Sequence, residues 1–286
     1  MGYFKVTKKQ SGGGTTVLKG TSNPTSQQGS NGDIFLKYGL KGALLHFEDS
    51  ATADECGNTW TTYSAATISS SKSKFGSKSL YLDGNGSFIQ TDAGDIKFED
   101  KDFTISCWIY PLSNGRQALF AMDRDCRIGT DIFFNQGSAN MWLSSDGNWN
   151  QIQSDNAGAS NSGVGTIAIN ANEWTHIAYT RQGQYCRMFV NGQLAKETSL
   201  SSADVSVYFT DNSFRIGVWG GGGMSYNGYI DEFLVVIGKA LYTSSFTPPS
   251  QPYSMSDFDM VLDSFAKING TWQELIGSDI DDITTN

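Results

Sequence analysis

The stretch that decides the fold is Asn227–Pro249, which reads NGYIDEFLVVIGKALYTSSFTPP. Within it, Tyr229–Ile237 is rich in β-branched and aromatic residues, and every residue after Glu232 is apolar. This pattern predicts a strand that is buried on both faces. After Gly238 and a short polar turn, Pro248 and Pro249 stop further pairing, because proline cannot donate a ladder hydrogen bond. The stretch therefore predicts the closing strand of a β-sandwich.

Further strand patterns recur along the chain. Phe103–Tyr110 alternates with period two, which places Phe103, Ile105, Cys107 and Ile109 on one face. Trp174–Arg181 and Tyr185–Val190 read as a hairpin, and Asn191-Gly192 supplies a turn that needs positive φ. The segments 75–84 and 86–91 read as a second hairpin. We therefore predict an antiparallel double sheet.

Composition supports many short strands. Aromatic residues make up 13% of the 286 residues, glycine contributes 32, and charged residues only 17%. Helices would need more alanine, leucine, glutamate and lysine. All-β sandwiches often use 200 or more residues as one unit. The predicted fold is thus all-β: a two-sheet antiparallel jelly-roll sandwich over residues 40–253, a flexible N-terminal arm with a short strand over 1–39, and a C-terminal hairpin with an acidic tail over 254–286. We also expect the two flanks to pair beside the core.

Charge and hydropathy exclude several partners. The formal net charge is −9 and no block of lysine and arginine is present, so nucleic acid is not an expected partner. No apolar run approaches the ~20 residues that span a bilayer, so no membrane is expected. Residues 1–20 show no signal peptide, which predicts folding in the cytoplasm with free thiols. The four cysteines lack the C-x-x-C spacing of a zinc site.

Three runs carry a resemblance to a known family. The last of them pairs Gly-x-Ile-Asp-Glu at 228–232 with the exit Ala-x-Tyr-Thr-x-x-Phe-x-Pro-Pro at 240–249. The central one pairs Trp-x-His-Ile-Ala at 174–178 with Phe-Val-Asn-Gly at 189–192. The first pairs Leu-Leu-His-Phe at 44–47 with Glu-x-Gly-Asn-Thr-Trp at 55–60. This order resembles the laminin-G-like, concanavalin A-like jelly rolls of bacteriophage and bacterial surface proteins. The match spans about residues 40–253.

The resemblance implies a non-enzymatic virion structural protein of a bacteriophage, made in the host cytoplasm. Its expected place is a tail fibre or tail tip. Other virion proteins, a second copy of the chain and a host-surface glycan are the expected partners. A capsid decoration or head appendage protein with mainly protein contacts is the alternative, and a glycoside hydrolase is a third class.

Catalytic residues are not predicted. Retaining glycoside hydrolysis needs two carboxyl groups ~5 Å apart. Asp231 and Glu232 are neighbours on a strand, so we expect them to point to opposite faces. The Glu-x-Asp-x-x-Glu run of related glucanases does not occur in the sequence. His46 and His176 lie in strand patterns without a nucleophile motif.

The resemblance also implies a structural calcium ion that ties the first and last strands together. The residues that match this arrangement are Glu48 or Asp49, the Gly86 carbonyl and Asp231. The alternative is that Asp231 caps a turn or accepts backbone hydrogen bonds.

Loop residues are the candidates for glycan binding, because sugars need exposed aromatic faces beside hydrogen-bonding groups. Asp146, Asn148 and Trp149 lie in the loop SSDGNWNQ, and Trp219 and Tyr226 flank the glycine run 220–223. The alternative is that these aromatic side chains pack beneath their loops. The remaining tryptophans considered, 60, 108, 142 and 174, are expected in the core or on a sheet face.

Overall fold

The structure is a computed structural model that describes residues 16–20, 23–92, 96–113, 115–122, 128–133, 138–143, 164–200, 213–219, 224–258 and 260–274. The chain divides into two compact units, Lys41–Tyr253 and Met1–Leu40 with Ser254–Asn286. In the described ranges, no helix is both long and apolar enough to span a membrane.

The strands and their bounds are β1 (Val17–Gly20), β2 (Ile34–Gly39), β3 (Gly42–Leu45), β4 (Trp60–Tyr63), β5 (Thr67–Ser69), β6 (Ser79–Asp83), β7 (Phe88–Asp92), β8 (Phe103–Pro111), β9 (Arg116–Met122), β10 (Ile128–Phe133), β11 (Ser138–Leu143), β12 (Val164–Ala168), β13 (Thr175–Gln182), β14 (Tyr185–Val190), β15 (Gln193–Ser199), β16 (Ser213–Ile216), β17 (Asn227–Ile237), β18 (Met260–Ile268) and β19 (Thr271–Glu274). A short 3-10 helix, Met255–Asp257, precedes β18.

Two antiparallel sheets form the unit 41–253. One has the order β15-β14-β13-β8-β17-β6-β5, with β3 also paired to β17, and the other has the order β12-β11-β10-β9-β16-β7-β4. The strand β17 pairs with β8, β6 and β3 and is buried from Gly228 to Ile237. The predicted all-β jelly-roll sandwich is confirmed, and so is a closing strand with two buried faces.

The core between the sheets is built from alternate residues of their strands. Phe103, Ile105, Cys107 and Ile109 all face it, as the period-two pattern predicted. The hairpin β13–β14 and its neighbour β15 are confirmed by their register. Asn191 and Gly192 both have positive φ, 47° and 74°, as a two-residue turn between β14 and β15 requires.

The predicted hairpin of residues 75–91 is wrong. β6 pairs with β5 and β17 in the eight-stranded sheet, whereas β7 pairs with β4 and β16 in the other sheet. The turn between them therefore carries the chain from one sheet to the other. Gly84 and Gly86 adopt φ of 75° and 77° in this crossing. A short turn between two strand patterns signals adjacency along the chain, and adjacency does not require pairing.

A β-bulge interrupts β17. The register with β8 shifts between Asp231 and Leu234, and Glu232 has a φ of 50°. Phe233 consequently packs in the core, and Glu232 joins Asp231 on the outer face of the eight-stranded sheet. The expectation that these two carboxyl groups point to opposite faces is wrong, because the bulge breaks the alternation.

The segment Lys239–Tyr253, which we call the strap, lies on the outer face of the eight-stranded sheet. Polar side chains of the sheet bind it: Thr104 accepts from the Leu241 amide at 2.8 Å, and Thr180 donates to the Tyr242 carbonyl at 2.9 Å. The Tyr253 hydroxyl lies 2.9 Å from the Ser106 hydroxyl. This face therefore reads as polar in the sequence although the strap buries it.

The second unit contains a four-stranded sheet with the order β1-β2-β18-β19. β2 precedes the sandwich in the chain and β18 follows it, and the two strands pair antiparallel. Phe35 and Phe265 are directly opposite each other, with ring centroids 6.4 Å apart. The pairing of the two flanks is thus present, and β18–β19 forms the expected hairpin on Asn269-Gly270.

Candidate functional site

A polar groove of about 490 Å³ lies on the outer face of the seven-stranded sheet, at the edge strand β4. Strands β4 and β7 form its floor, and the loop before β4 forms one wall. Its lining residues are Gly57, Asn58, Thr59, Thr61, Tyr63, Gln90, Thr91 and Asp92. Trp60 points into the core, so the alternation along β4 turns Thr61 and Tyr63 outward.

Asp54 holds the wall of the groove in place. Its Oδ1 accepts from the backbone amides of Leu44 at 3.1 Å and Cys56 at 2.8 Å. Its Oδ2 accepts from Asn58 Nδ2 at 2.7 Å and Trp60 Nε1 at 2.8 Å. One carboxylate thus ties the loop to β3 and to the core tryptophan. A wall fixed in this way loses little conformational entropy when a ligand binds.

The two amide side chains of the groove have fixed orientations. Asn58 Nδ2 also donates to the Gly42 carbonyl at 2.8 Å, and since both of its partners are acceptors, Oδ1 is the amide atom left for a ligand. Gln90 Oε1 accepts from Arg215 Nε at 2.8 Å. An arginine can only donate, so the NH₂ group of Gln90 is directed away from it. The groove therefore offers one amide acceptor and one amide donor in known places.

Tyr63 provides an aromatic surface beside these polar groups. Its ring stacks on Phe88, its partner on β7, with centroids 4.4 Å and planes 6° apart. Tyr63 is nevertheless 38% exposed, which is unusual for an aromatic residue in a sheet. A ring that is held by a neighbour and still open to solvent can stack on a ligand at low entropic cost.

No single stretch of the sequence indicates this groove. Its residues come from 57–63 and 88–92, which are brought together by the pairing of β4 with β7. The residues Thr61, Thr62 and Tyr63 do carry a local signal, since β-branched and aromatic residues after a Gly-Asn turn favour a strand. That signal favours a strand in which Tyr63 points away from Trp60, whereas its place at the edge of the sheet follows only from the strand order.

Of the five glycan-binding residues expected from the sequence, the structure describes two, Trp219 and Tyr226. Asp146, Asn148 and Trp149 lie outside the described residues. Tyr226 is 0% exposed and belongs to the core, with its hydroxyl donating to the Tyr229 carbonyl. It cannot stack on a sugar, so its assignment is corrected. Trp219 is half-buried, with the Arg116 guanidinium 5.9 Å from its ring centroid.

Two of the expected calcium ligands accept hydrogen bonds from the protein itself. Glu48 Oε1 accepts from the Ser77 amide at 2.9 Å, and Asp231 Oδ2 accepts from the Lys74 and Phe75 amides at 2.7 and 3.2 Å. Both carboxylates therefore hold the 74–78 loop. Asp231 thus accepts backbone hydrogen bonds, as the alternative describes.

The remaining expected ligands lie elsewhere. Gly86 follows the end of β6 that is far from this loop, and Asp49 is exposed. No group of three acidic, histidine or cysteine side chains that could hold a metal occurs within the described ranges. The calcium site of Glu48 or Asp49, the Gly86 carbonyl and Asp231 stays a prediction.

The two buried carboxyl groups of the bulge are saturated by protein donors. Glu232 Oε1 lies 2.8 Å from His46 Nδ1, and its Oε2 accepts from the Tyr253 amide at 2.9 Å. This hydrogen bond raises the pKa of His46. Burial raises the pKa of Asp231 to about 7. Both carboxyl groups are at most 2% exposed, so this cluster fastens the strap and the 74–78 loop to the sheet.

Together, two antiparallel sheets and an open polar groove on one of them define a jelly roll of the lectin type. A family model described as the concanavalin A-like lectin/glucanases superfamily matches residues 83–241, which is more than half of the chain. The chain belongs to this laminin-G-like family. No curated protein sequence matches it.

One solved structure shares the fold, and two others are similar at TM-scores below 0.5. Domain 4 of AbnA, a GH43 extracellular arabinanase from Geobacillus stearothermophilus, solved with arabinotriose, is 20% identical, with a TM-score of 0.51 over 71% of this chain and 94% of that one. The binding domain of botulinum neurotoxin serotype G is 14% identical, with a TM-score of 0.49 over 71% of this chain and 48% of that one. The carbohydrate esterase vb_24B_21 of the Shiga toxin-encoding bacteriophage phi24B is 14% identical, with a TM-score of 0.44 over 68% of this chain and 100% of that one. At these identities, the likeness shows the fold alone.

Proposed function

We propose that this protein is a non-enzymatic bacteriophage virion protein, placed at a tail fibre or tail tip, whose jelly roll binds a host-surface glycan. The observation that carries the proposal is the groove at β4 and β7. It combines a fixed and exposed aromatic ring, Tyr63, with oriented amides on Asn58 and Gln90. Sugars present apolar ring faces and dense hydroxyl groups, and this combination serves both.

The charge arrangement supports binding without catalysis. The groove lining includes a single carboxylate, Asp92, whereas glycoside hydrolysis uses a pair that flanks the scissile bond. The pair Asp231 and Glu232 is buried, and its oxygens accept hydrogen bonds from the protein itself. A glycoside hydrolase remains the third alternative of the proposal, and hydrolysis of any glycan that binds would establish it.

Glycan-array binding of the full chain tests the function. We expect wild-type protein to bind a defined set of glycans, and Tyr63→Ala to weaken that binding by about tenfold or more, as loss of a central aromatic contact does. Tyr185→Ala is the matched control, because Tyr185 is 40% exposed on β14 in the other sheet. It should leave the affinity unchanged.

Three further arms separate the alternatives. If the glycan bound at the loop site expected from the sequence, Trp219→Ala would weaken binding and Tyr63→Ala would not. EDTA would abolish binding if calcium were required, and we expect no change. If the folded protein binds no glycan, the adhesive role is wrong, and a capsid decoration or head appendage protein is favoured. Antibody labelling of phage particles that contain this chain would then place it on the head and not on the tail.

A further inference from the structure

Resting on the proposed function, we infer that the groove selects uncharged sugars and rejects anionic ones, with Asp92 as the residue that determines this selectivity. The inference concerns the class of ligand and not its presence. It follows from two properties of the lining, its charge and its balance of hydrogen-bond donors and acceptors.

Charge is the first property. The eight lining residues comprise one carboxylate, Asp92, and no lysine, arginine or histidine. Asp92 is exposed at the end of β7, on the same face as Gln90. The formal net charge of the whole chain is −9, so the long-range field also opposes an anionic polymer. Asp92, the charge that lines this groove, would repel a sugar carboxylate or sulfate.

Arg215 does not reverse this balance. It lies on β16, the strand on the far side of β7 from β4, and it is half-buried. Its Nε donates to Gln90 Oε1. The guanidinium is thus engaged by the side chain of Gln90, and Arg215 is not among the eight lining residues.

Hydrogen bonding is the second property. Asn58 presents Oδ1, an acceptor, and Asp92 presents two carboxylate oxygens, which only accept. Gln90 supplies the one amide donor whose orientation the structure fixes. The hydroxyl groups of Thr59, Thr61 and Tyr63 can donate or accept, whereas Asn58 Oδ1 and the Asp92 carboxylate require a donor, which a free sugar hydroxyl supplies. A carboxylate or sulfate group brings acceptors alone, so it can bond neither Asn58 Oδ1 nor Asp92.

The test compares matched pairs of glycans that differ in charge. Lactose is paired with 3′-sulfolactose, methyl-esterified trigalacturonate with trigalacturonate, and each further neutral oligosaccharide on the array with its sulfated or uronate form. The full-length wild-type protein should bind the uncharged member of a pair on the order of tenfold more tightly, the size expected for like charges a few ångströms apart at a partly wet surface. Isothermal titration of the best pair gives the ratio in solution.

Asp92→Asn removes the charge and keeps one acceptor oxygen, so the preference for the uncharged glycan of a pair over the charged one should fall below about threefold. Asp92→Lys should reverse the preference, so that the charged glycan binds more tightly. Asp100→Asn, the same change in an exposed turn outside the groove lining, should leave the ratio at its wild-type value. Raising the salt concentration should narrow the wild-type ratio, because exposed charges are screened.

The outcomes distinguish this inference from the proposed function. Wild-type protein that binds the anionic members equally or better, or a ratio unchanged by Asp92→Asn, overturns the selectivity and leaves glycan binding standing. Folded protein that binds no glycan at all overturns both.

Discussion

At the scale of single residues, His176 shows what burial costs an ionisable group. It is 0% exposed on the outer face of the eight-stranded sheet, with its ring centroid 5.1 Å from that of Trp108 and 5.7 Å from that of Phe246. Neither ring nitrogen has a hydrogen-bond partner among the residues that the structure describes. Burial, together with the nearby Lys74, lowers the pKa of His176 from 6.5 to about 3.

This shift predicts a loss of stability in acid. Between pH 6.5 and 3, His176 is protonated in the unfolded chain but neutral in the native state. The free energy of unfolding therefore falls as the pH drops through this window. His176→Phe removes the titrating group and keeps the aromatic contacts. Its free energy of unfolding relative to wild type should therefore rise by about 1.4 kcal/mol per pH unit below pH 6.5.

Urea unfolding of both proteins at pH 7, 6 and 5 measures this difference. The raised pKa of Asp231 has the opposite effect on stability but is common to both proteins, so it cancels in the comparison. A difference that stays constant with pH would show that His176 is protonated in the native state or titrates normally there.

At the scale of elements, the turn β14–β15 anchors the strap. Gly192 has a φ of 74°, and its carbonyl accepts from the Phe246 amide at 2.8 Å. A Cβ at this position would lie 1.9 Å from the Phe246 carbonyl oxygen. Gly192→Ala should therefore displace the strap and lower the free energy of unfolding by ~3 kcal/mol, since it combines left-handed strain with overpacking. Chemical denaturation and limited proteolysis of the strap measure both effects.

Gly183 in the turn β13–β14 is a matched control. Its φ is 55°, but a Cβ there would have no atom within 4 Å. Gly183→Ala should therefore cost only the backbone strain, ~1 kcal/mol, and leave the strap protected. Equal losses for the two variants would show that the contact with Phe246 adds nothing to the strain.

Elements whose signals are local could be predicted from the sequence, and those that depend on distant partners could not. The hairpin of Trp174–Val190 and the core face of Phe103–Ile109 follow from alternation and turn residues, which act within a few positions. The crossing after β6 and the bulge at Glu232 depend on which strand lies alongside. The burial of the polar outer faces of β8 and β13 has the same kind of cause, because the strap that covers them comes from 239–253.

At the scale of the whole molecule, the groove at β4 and β7 also depends on residues that are distant in the sequence. Aromatic residues beside a glycine run favour an exposed loop, which is why the sequence predicts Trp219 and Tyr226 as candidates. Tyr226 is nevertheless a core residue. Tyr63 was not singled out, because its exposure depends on β4 being an edge strand. The family and the fold could be read from three sequence runs, whereas the groove required the sheet order.

The division into two units predicts two separate unfolding events. In the unit of the flanks, Lys267 is 6% exposed, and its ammonium donates to the carbonyls of Ser26, Gln28 and Gly29 at 2.8, 2.6 and 3.0 Å. Lys267→Met keeps an aliphatic side chain but leaves these three carbonyls without the ammonium donor. This should lower the free energy of unfolding by ~2–3 kcal/mol. In calorimetry of the full chain, we expect this variant to lower only the transition of the flanking unit. Gly192→Ala should lower only the transition of the sandwich, 41–253. A single transition that both substitutions shift equally would mean that the two units unfold as one cooperative body.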